Sequence, residues 1–231
     1  MLRGTRTVIE RVRYEGVARC SRTFEENGAA RVMLSQLGPG VVRGDRIEIV
    51  GTVARDAHLI VTEQTATRIL GGAAPSSLSA HWTVEAGAWL EFRAEPIVSH
   101  HGGDHEITTR VACERDATVM LREVVSVTNG ARLRMRTLVT IAGRDCFSDA
   151  IELDDTSPAA VGTFAVLGRS VAPQSFDAIA CASSEARIGI GTLHKGIFAR
   201  AIGPRVWVVR AALDELRAAL DRAEEVLVAP T

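Results

Sequence analysis

Apolar and polar residues alternate along most of this chain with a period of two. Ile47, Ile49 and Val53 alternate with Arg46 and Glu48. Val119, Leu121, Val125 and Val127 share one phase, and Leu133, Met135, Val139 and Ile141 share another. Similar short runs occupy 57–63, 82–92, 106–113, 147–153, 187–193 and 205–209. Side chains alternate across a strand, so this pattern predicts half-buried β-strands. Asn27-Gly28 and Asn129-Gly130 lie between such runs and suit tight turns, because both residue types tolerate positive φ. Residues 71–77, rich in Gly, Ala, Pro and Ser, predict a surface loop. One segment carries a different period. From Ala211 to Leu227, Leu213, Leu216, Leu220, Ala223 and Leu227 recur at spacings of three and four, with charged residues between them. That is an amphipathic helix, and Pro230 follows its end.

The expected architecture is therefore mainly β, closed by a C-terminal helix. No linker divides it, so residues 1–231 form a single expected domain. No repeat of fixed period stands out, but many strands of similar spacing permit stacked sheets or a solenoid.

Composition narrows the function classes. Hydrophobic residues are 46% of the chain and charged ones 24%, which suffices for a sizeable core. A net charge of −1 argues against a nucleic-acid or anionic-membrane surface, since both need a basic excess. No apolar run is long enough to span a membrane, and residues 1–14 lack the apolar centre of a secretory signal. A cytoplasmic protein is expected. Cys20, Cys113, Cys146 and Cys181 are far apart and form no CxxC pair, so reduced thiols are expected. There is no GxxxxGK[ST] phosphate loop, no GxSxG elbow and no HExxH. Arg43-Gly44-Asp45 matches an adhesion tripeptide, but at the opening of a strand it predicts only a turn.

Several blocks, in order, resemble the urease accessory protein UreD (UreH) family. Residues 38–49, GPGVVRGDRIEI, resemble its PGGxxxGDxL signature. Residues 57–69, AHLIVTEQTATRI, are similar to its alanine-histidine and TTQ segment, with Glu63 in place of the second threonine. Residues 84–92, followed by Glu95-Pro96-Ile97, and then Leu121-Arg122-Glu123 are similar to later blocks. Residues 205–217 resemble the closing strand and helix. The family's GR-xxx-GE element is reduced to residues 129–132, and the region before Gly38 is short for the family. The resemblance implies a β-helical fold of stacked sheets with two helices. It also implies a bridge between apo-urease and the partner UreF, which holds the GTPase UreG. Nickel would then travel through the interior of the UreD-like subunit, as transient cargo with no tightly bound cofactor.

Such a path needs shallow oxygen or imidazole ligands. Glu123 falls on the apolar phase of its strand, and Asp149 is in phase with Phe147, Ile151 and Leu153. A charge on a buried face must be paired or solvated, so each faces either a wet channel or an arginine, such as Arg132, Arg134 or Arg136. Asp45 matches the family's GD aspartate and also suits a turn. His100, His101, Asp104 and His105 form the most metal-like cluster, although a glycine turn commonly leaves such residues solvated. Two rival readings stand beside the scaffold. One is a metal-dependent β-fold enzyme using His100–His105 with Glu106 or Glu123. The other is an adaptor that has lost its association with urease.

Overall fold

The structure, a computed structural model, describes residues 1–3, 6–16, 18–21, 23–42, 44–72, 74–128, 130–157, 159–169 and 185–228. The early strands are β1 (Leu2–Arg3), β2 (Arg6–Thr7), β3 (Ala18–Cys20), β4 (Phe24–Glu26) and β5 (Ala29–Gln36). The central ones are β6 (Arg46–Val53), β7 (His58–Glu63), β8 (Thr67–Ile69), β9 (Ser76–Val84), β10 (Trp89–Arg93), β11 (Ile97–Ser99), β12 (Asp104–Cys113), β13 (Thr118–Val127) and β14 (Arg132–Ile141). The last are β15 (Arg144–Leu153), β16 (Ala160–Leu167), β17 (Arg187–Leu193) and β18 (Gly196–Gly203), followed by helix α1 (Val206–Val228).

The chain passes back and forth between two sheets. In the first, β5, β7, β10 and β13 are parallel neighbours; in the second, β6, β9, β12 and β14 are. Each return trip makes one coil of a solenoid. Ala30, Leu59, Leu90 and Val119 lie side by side in register, at steps of 29, 31 and 29 residues. Ile47, Leu78, Ile107 and Met135 do the same opposite them, at steps of 31, 29 and 28. A repeat thus exists, but it is one of register and not of residue identity, and the sequence did not reveal it. The corners stack as well. Asp56, Gly87 and Asp116 occupy equivalent corners, all at positive φ. A Cβ on Gly87 would lie 2.1 Å from Asp56 Oδ1, so that corner requires glycine for space as well as for backbone. Antiparallel strands finish the solenoid: β16, β18 and β17 extend the first sheet, and β15 ends the second.

The inner faces of the two sheets share one apolar core, including Leu59, Val61, Leu90, Leu121, Leu133, Met135 and Val139. The outer face of the first sheet makes a second core with α1, through Met120, Val124, Phe164, Val166, Val209, Leu213, Leu216 and Leu220. The run 205–209 is not a strand. The helix already begins at Val206, because Val209 falls in helical phase with Leu213 and Leu216 and is buried against the sheet. Burial on a waiting apolar face outweighs the weak strand preference of a valine run. Gly162 permits the close approach, since a Cβ there would meet Val209 Cγ1 at 2.6 Å and Leu213 Cδ1 at 2.8 Å.

The mainly β solenoid with its C-terminal helix matches expectation. The run 82–92 instead contains the end of β9, a turn and the start of β10. Residues 71–77 are loop only as far as Pro75, and Ser76 opens β9. Asn27-Gly28 makes the expected turn, whereas Asn129, Arg43, Cys181 and the side chains of Ala223 and Leu227 lie outside the described residues. Cys20, Cys113 and Cys146 are free thiols. Among the described residues no helix is long and apolar enough to cross a membrane.

Leu216 has no exposed surface at the centre of the helix–sheet core. Leu216→Ala is expected to cost about 2–5 kcal/mol, read as a lower denaturation midpoint of the isolated protein. An unchanged midpoint would mean that the helix does not hold this face.

Candidate functional site

The strand phase that fills the inner core with Val125 and Leu121 also carries Glu123. Its register partners across the first sheet are Thr163 on β16 and then Arg200 on β18. Opposite them, Thr109, Thr137 and Asp149 are register partners across β12, β14 and β15. Two polar rows therefore face each other inside the solenoid. Thr109 Oγ1 donates to Glu123 Oε1 at 2.8 Å and Thr137 Oγ1 donates to Oε2 at 3.0 Å. Arg200 donates to Asp149 at 2.6 Å. Glu123 is 5% exposed, whereas the side chains of Asp149 and Arg200 are 14% and 22% exposed. The layer thus runs from a dry middle at Glu123 to a wetter rim. Thr163 Oγ1 and Asp149 Oδ2 are buried there without a hydrogen-bond partner among the described residues.

Burial raises the pKa of Glu123; the two threonine hydroxyls oppose this, the Asp149 charge adds to it and Arg200 counters it. The arginine stripe proposed as its partner lies on the other face of its sheet. Arg132 pairs with Glu152 and Arg134 with Asp104, and Arg136 is exposed. Of the two alternatives, a wet channel or an arginine partner, the described residues give Glu123 no paired arginine; two threonine hydroxyls hold it instead.

Glu63 extends the site. It stands at the end of β7, on the inner phase after Leu59 and Val61, and its Oε2 accepts the Glu95 N–H at 2.8 Å. Burial pushes its pKa up to about 7; the Glu95 N–H works against this, as does Arg122, while the Glu95 and Glu123 charges reinforce it. A hollow of about 20 Å³ lies between Glu63, Glu95, Thr109 and Glu123. A second, of about 1290 Å³, lies between residues 7–15 and strands β5 to β7, and Glu63 borders it too.

The other expected ligands are not part of this layer. Asp45 caps a turn, accepting the Val42 N–H at 2.9 Å. The histidine cluster is divided. His101 is exposed beside Gly130, while His105 is fully buried and its Nδ1 lies 2.8 Å from Ser76 Oγ. Burial brings the pKa of His105 down to about 4, against smaller contributions from Asp104 and Ser76. His100 is half-buried in the turn itself. Among the described residues no three His, Cys, Asp or Glu side chains are grouped closely enough to hold a metal ion together.

The opposite face of the same strands fixes the helix. Arg122, next to Glu123, pairs with Asp214 of α1 and donates to the Ala94 carbonyl at 3.2 Å. Glu91 is 1% exposed and takes His58 at 2.9 Å, Arg93, and Arg217 of α1 at 3.4 Å. Burial disfavours its charge, but His58 and the two guanidinium groups outweigh burial and hold its pKa down to about 2.

These features define a class: a two-sheet solenoid braced by a C-terminal helix, with a buried carboxylate–hydroxyl layer as its distinctive chemistry. A profile of the UreD urease accessory protein family matches residues 1–230, and the chain belongs to that family. It is 39% identical to the urease accessory protein UreD of Opitutus terrae over 92 residues, covering 38% of this chain and 34% of that protein. With UreD of Sorangium cellulosum it shares 27% over 178 residues, 72% of this chain and 57% of the relative. With UreD of Haloquadratum walsbyi it shares 28% over 200 residues, 75% and 66%. The chain thus spans from a third to two thirds of the length of these relatives.

The raised pKa of Glu63 has a consequence for stability. Both folded and unfolded states hold its proton below about pH 4.5, and only the unfolded state releases it between 4.5 and 7. Stability is therefore lost as pH rises through that window, and the loss is complete above about 7. Glu63→Gln keeps an acceptor for Glu95 and removes the penalty. At pH 8 the variant is expected to be roughly 2–3 kcal/mol more stable than the parent, with no gain at pH 4. Equal stabilities at pH 8 in denaturant melts would show that Glu63 ionises freely.

Proposed function

We propose that this protein is a non-catalytic scaffold for urease maturation. In this reading it bridges apo-urease and a UreF-type protein in the cytoplasm. The UreF-type protein holds a UreG-type GTPase, and nickel passes through the solenoid interior towards urease. Membership of an accessory-protein family supports the setting. The observation that carries the interior path is Glu123: a carboxyl buried between two sheets, held by hydroxyls and bordered by a hollow.

The chemistry fits a transient cation. Ni²⁺ accepts carboxylate and hydroxyl oxygens, but a path must bind it weakly enough to release it. An ion meeting Glu123 would bind its carboxylate oxygens, and the two hydroxyls could turn their lone pairs towards the ion. Asp149, with one oxygen held by Arg200 and the other unengaged, gives a second step at the rim. The missing phosphate loop leaves GTP hydrolysis to the UreG-type partner.

Glu123→Gln separates path from fold. The amide keeps one acceptor for a threonine, so the stability change should stay near 1–3 kcal/mol, the cost of one poorly satisfied buried group. Nickel content and activity of co-expressed urease should fall severalfold. Normal urease nickel with the variant would remove Glu123 from the path. Replacing His100, His101 and His105 together by Ala should leave urease nickel largely unchanged, because the structure sends these rings to different environments. A nickel-poor urease with an unchanged melting temperature would restore the cluster as a site.

A further inference from the structure

We propose that Glu63 and Leu78 form a gate between the two hollows, and that Glu63 makes this gate selective for small cations. The inference rests on the reading of the interior as a cation path. Its geometry is independent of which metal travels.

Among the described residues, these two border both the 1290 Å³ hollow and the 20 Å³ hollow. They come from opposite sheets, Glu63 from the end of β7 and Leu78 from the inner face of β9. Leu78 is 6% exposed and sits in register between Ile47 and Ile107, so one jaw is apolar and fixed by its neighbours. The other jaw is a carboxylate oriented by the Glu95 N–H. Beyond the gate lie Thr109 and Glu123. The inner hollow holds about one water, so an ion crossing it must shed most of its hydration and take protein oxygens instead.

Charge at this point has one sign. Glu63 and Glu123 face the inner hollow, and Glu95 borders it while bound to Arg122 and Arg210. Arg122 reaches Glu63 only as a field, since its side chain lies on the outer face and pairs with Asp214. Such a site attracts cations and repels anions.

The test places a thiol behind the gate. In the full chain with its four native cysteines replaced by serine, Thr109→Cys puts a thiol at the inner hollow. Its reaction is followed with Cd²⁺, by the cadmium–thiolate absorption band, and with the neutral reagent methyl methanethiosulfonate, by mass. Glu63→Gln, and independently Glu63→Thr, should slow Cd²⁺ on the order of tenfold and leave the neutral reagent unchanged. Leu78→Ala should speed both reagents, and Leu78→Trp should slow both. Equal effects of the Glu63 variants on both reagents would overturn the selectivity. Reaction rates indifferent to both Leu78 variants, or a thiol that neither reagent reaches even in Leu78→Ala, would overturn the gate. Urease nickel content separates this from the broader reading. If thiol reaction follows the gate while Leu78→Trp leaves urease nickel normal, the gate stands and the nickel route falls.

Discussion

Everything in this molecule depends on closing two parallel sheets over one shared inner layer. Sheets packed face to face leave about 10 Å between them, enough for interdigitated side chains and little else. A polar group placed there must find most of its partners within that layer, because the middle has room for about one water. Glu123 meets the condition with two threonines from the facing sheet, each 14 residues away along the chain, one before it and one after. That separation is half a coil, so the same winding that forms the core delivers both hydroxyls. An arginine would need more width, and Arg200, which joins the layer through Asp149, stands at the rim where its side chain is 22% exposed. The layer is therefore graded. Short neutral donors hold the carboxylate where the space is driest, and a full ion pair occurs only where solvent can share the cost.

Much of this was legible in the sequence, because burial on a strand face follows a period of two. The phase of Glu123 and Asp149 marked both as inward-facing, and the structure places both there. The same rule could have found the threonines. Thr109 stands between Ile107 and Val111, Thr137 between Met135 and Val139, and Thr163 between Val161 and Ala165, each on an apolar phase. A threonine costs little in a strand, so its place on an inward phase carries no signal of its own. Arg200 and Glu63 were not legible as site residues. Their roles depend on which strands are neighbours, and pairing between distant segments leaves no local signature. The start of α1 is hidden in the sequence for a related reason, since a valine run has the local preferences of a strand and only the waiting sheet face makes it helical.

The histidine turn shows the opposite limit. Three imidazoles within six residues look like a ligand set, yet successive residues of a strand point to opposite sides and a turn scatters the rest. His105 faces into the core, and His101 is at the surface. Proximity across the coil, which brings Glu63, Glu95 and Glu123 around one small hollow, had no sequence counterpart until the register was known.

The two faces of β13 join the helix to the interior. Arg122 points outward and is held by Asp214 of α1 and by Glu95, while Glu123 points inward to Thr109 and Thr137. Adjacent residues of one strand therefore carry the helix contact and the buried carboxylate. Glu95 belongs to both sides as well: its carboxylate binds Arg122 and Arg210, and its backbone N–H orients Glu63. A packed sheet transmits displacement because it has little void space to absorb it. A shift of α1 along the outer face would load Arg122 and Glu95 first. The next atoms in line are Glu63 and Glu123, the other two carboxyls that border the inner hollow. The helix is thus more than a cover for apolar surface, since its charged contacts end one residue, or one hydrogen bond, from the polar layer.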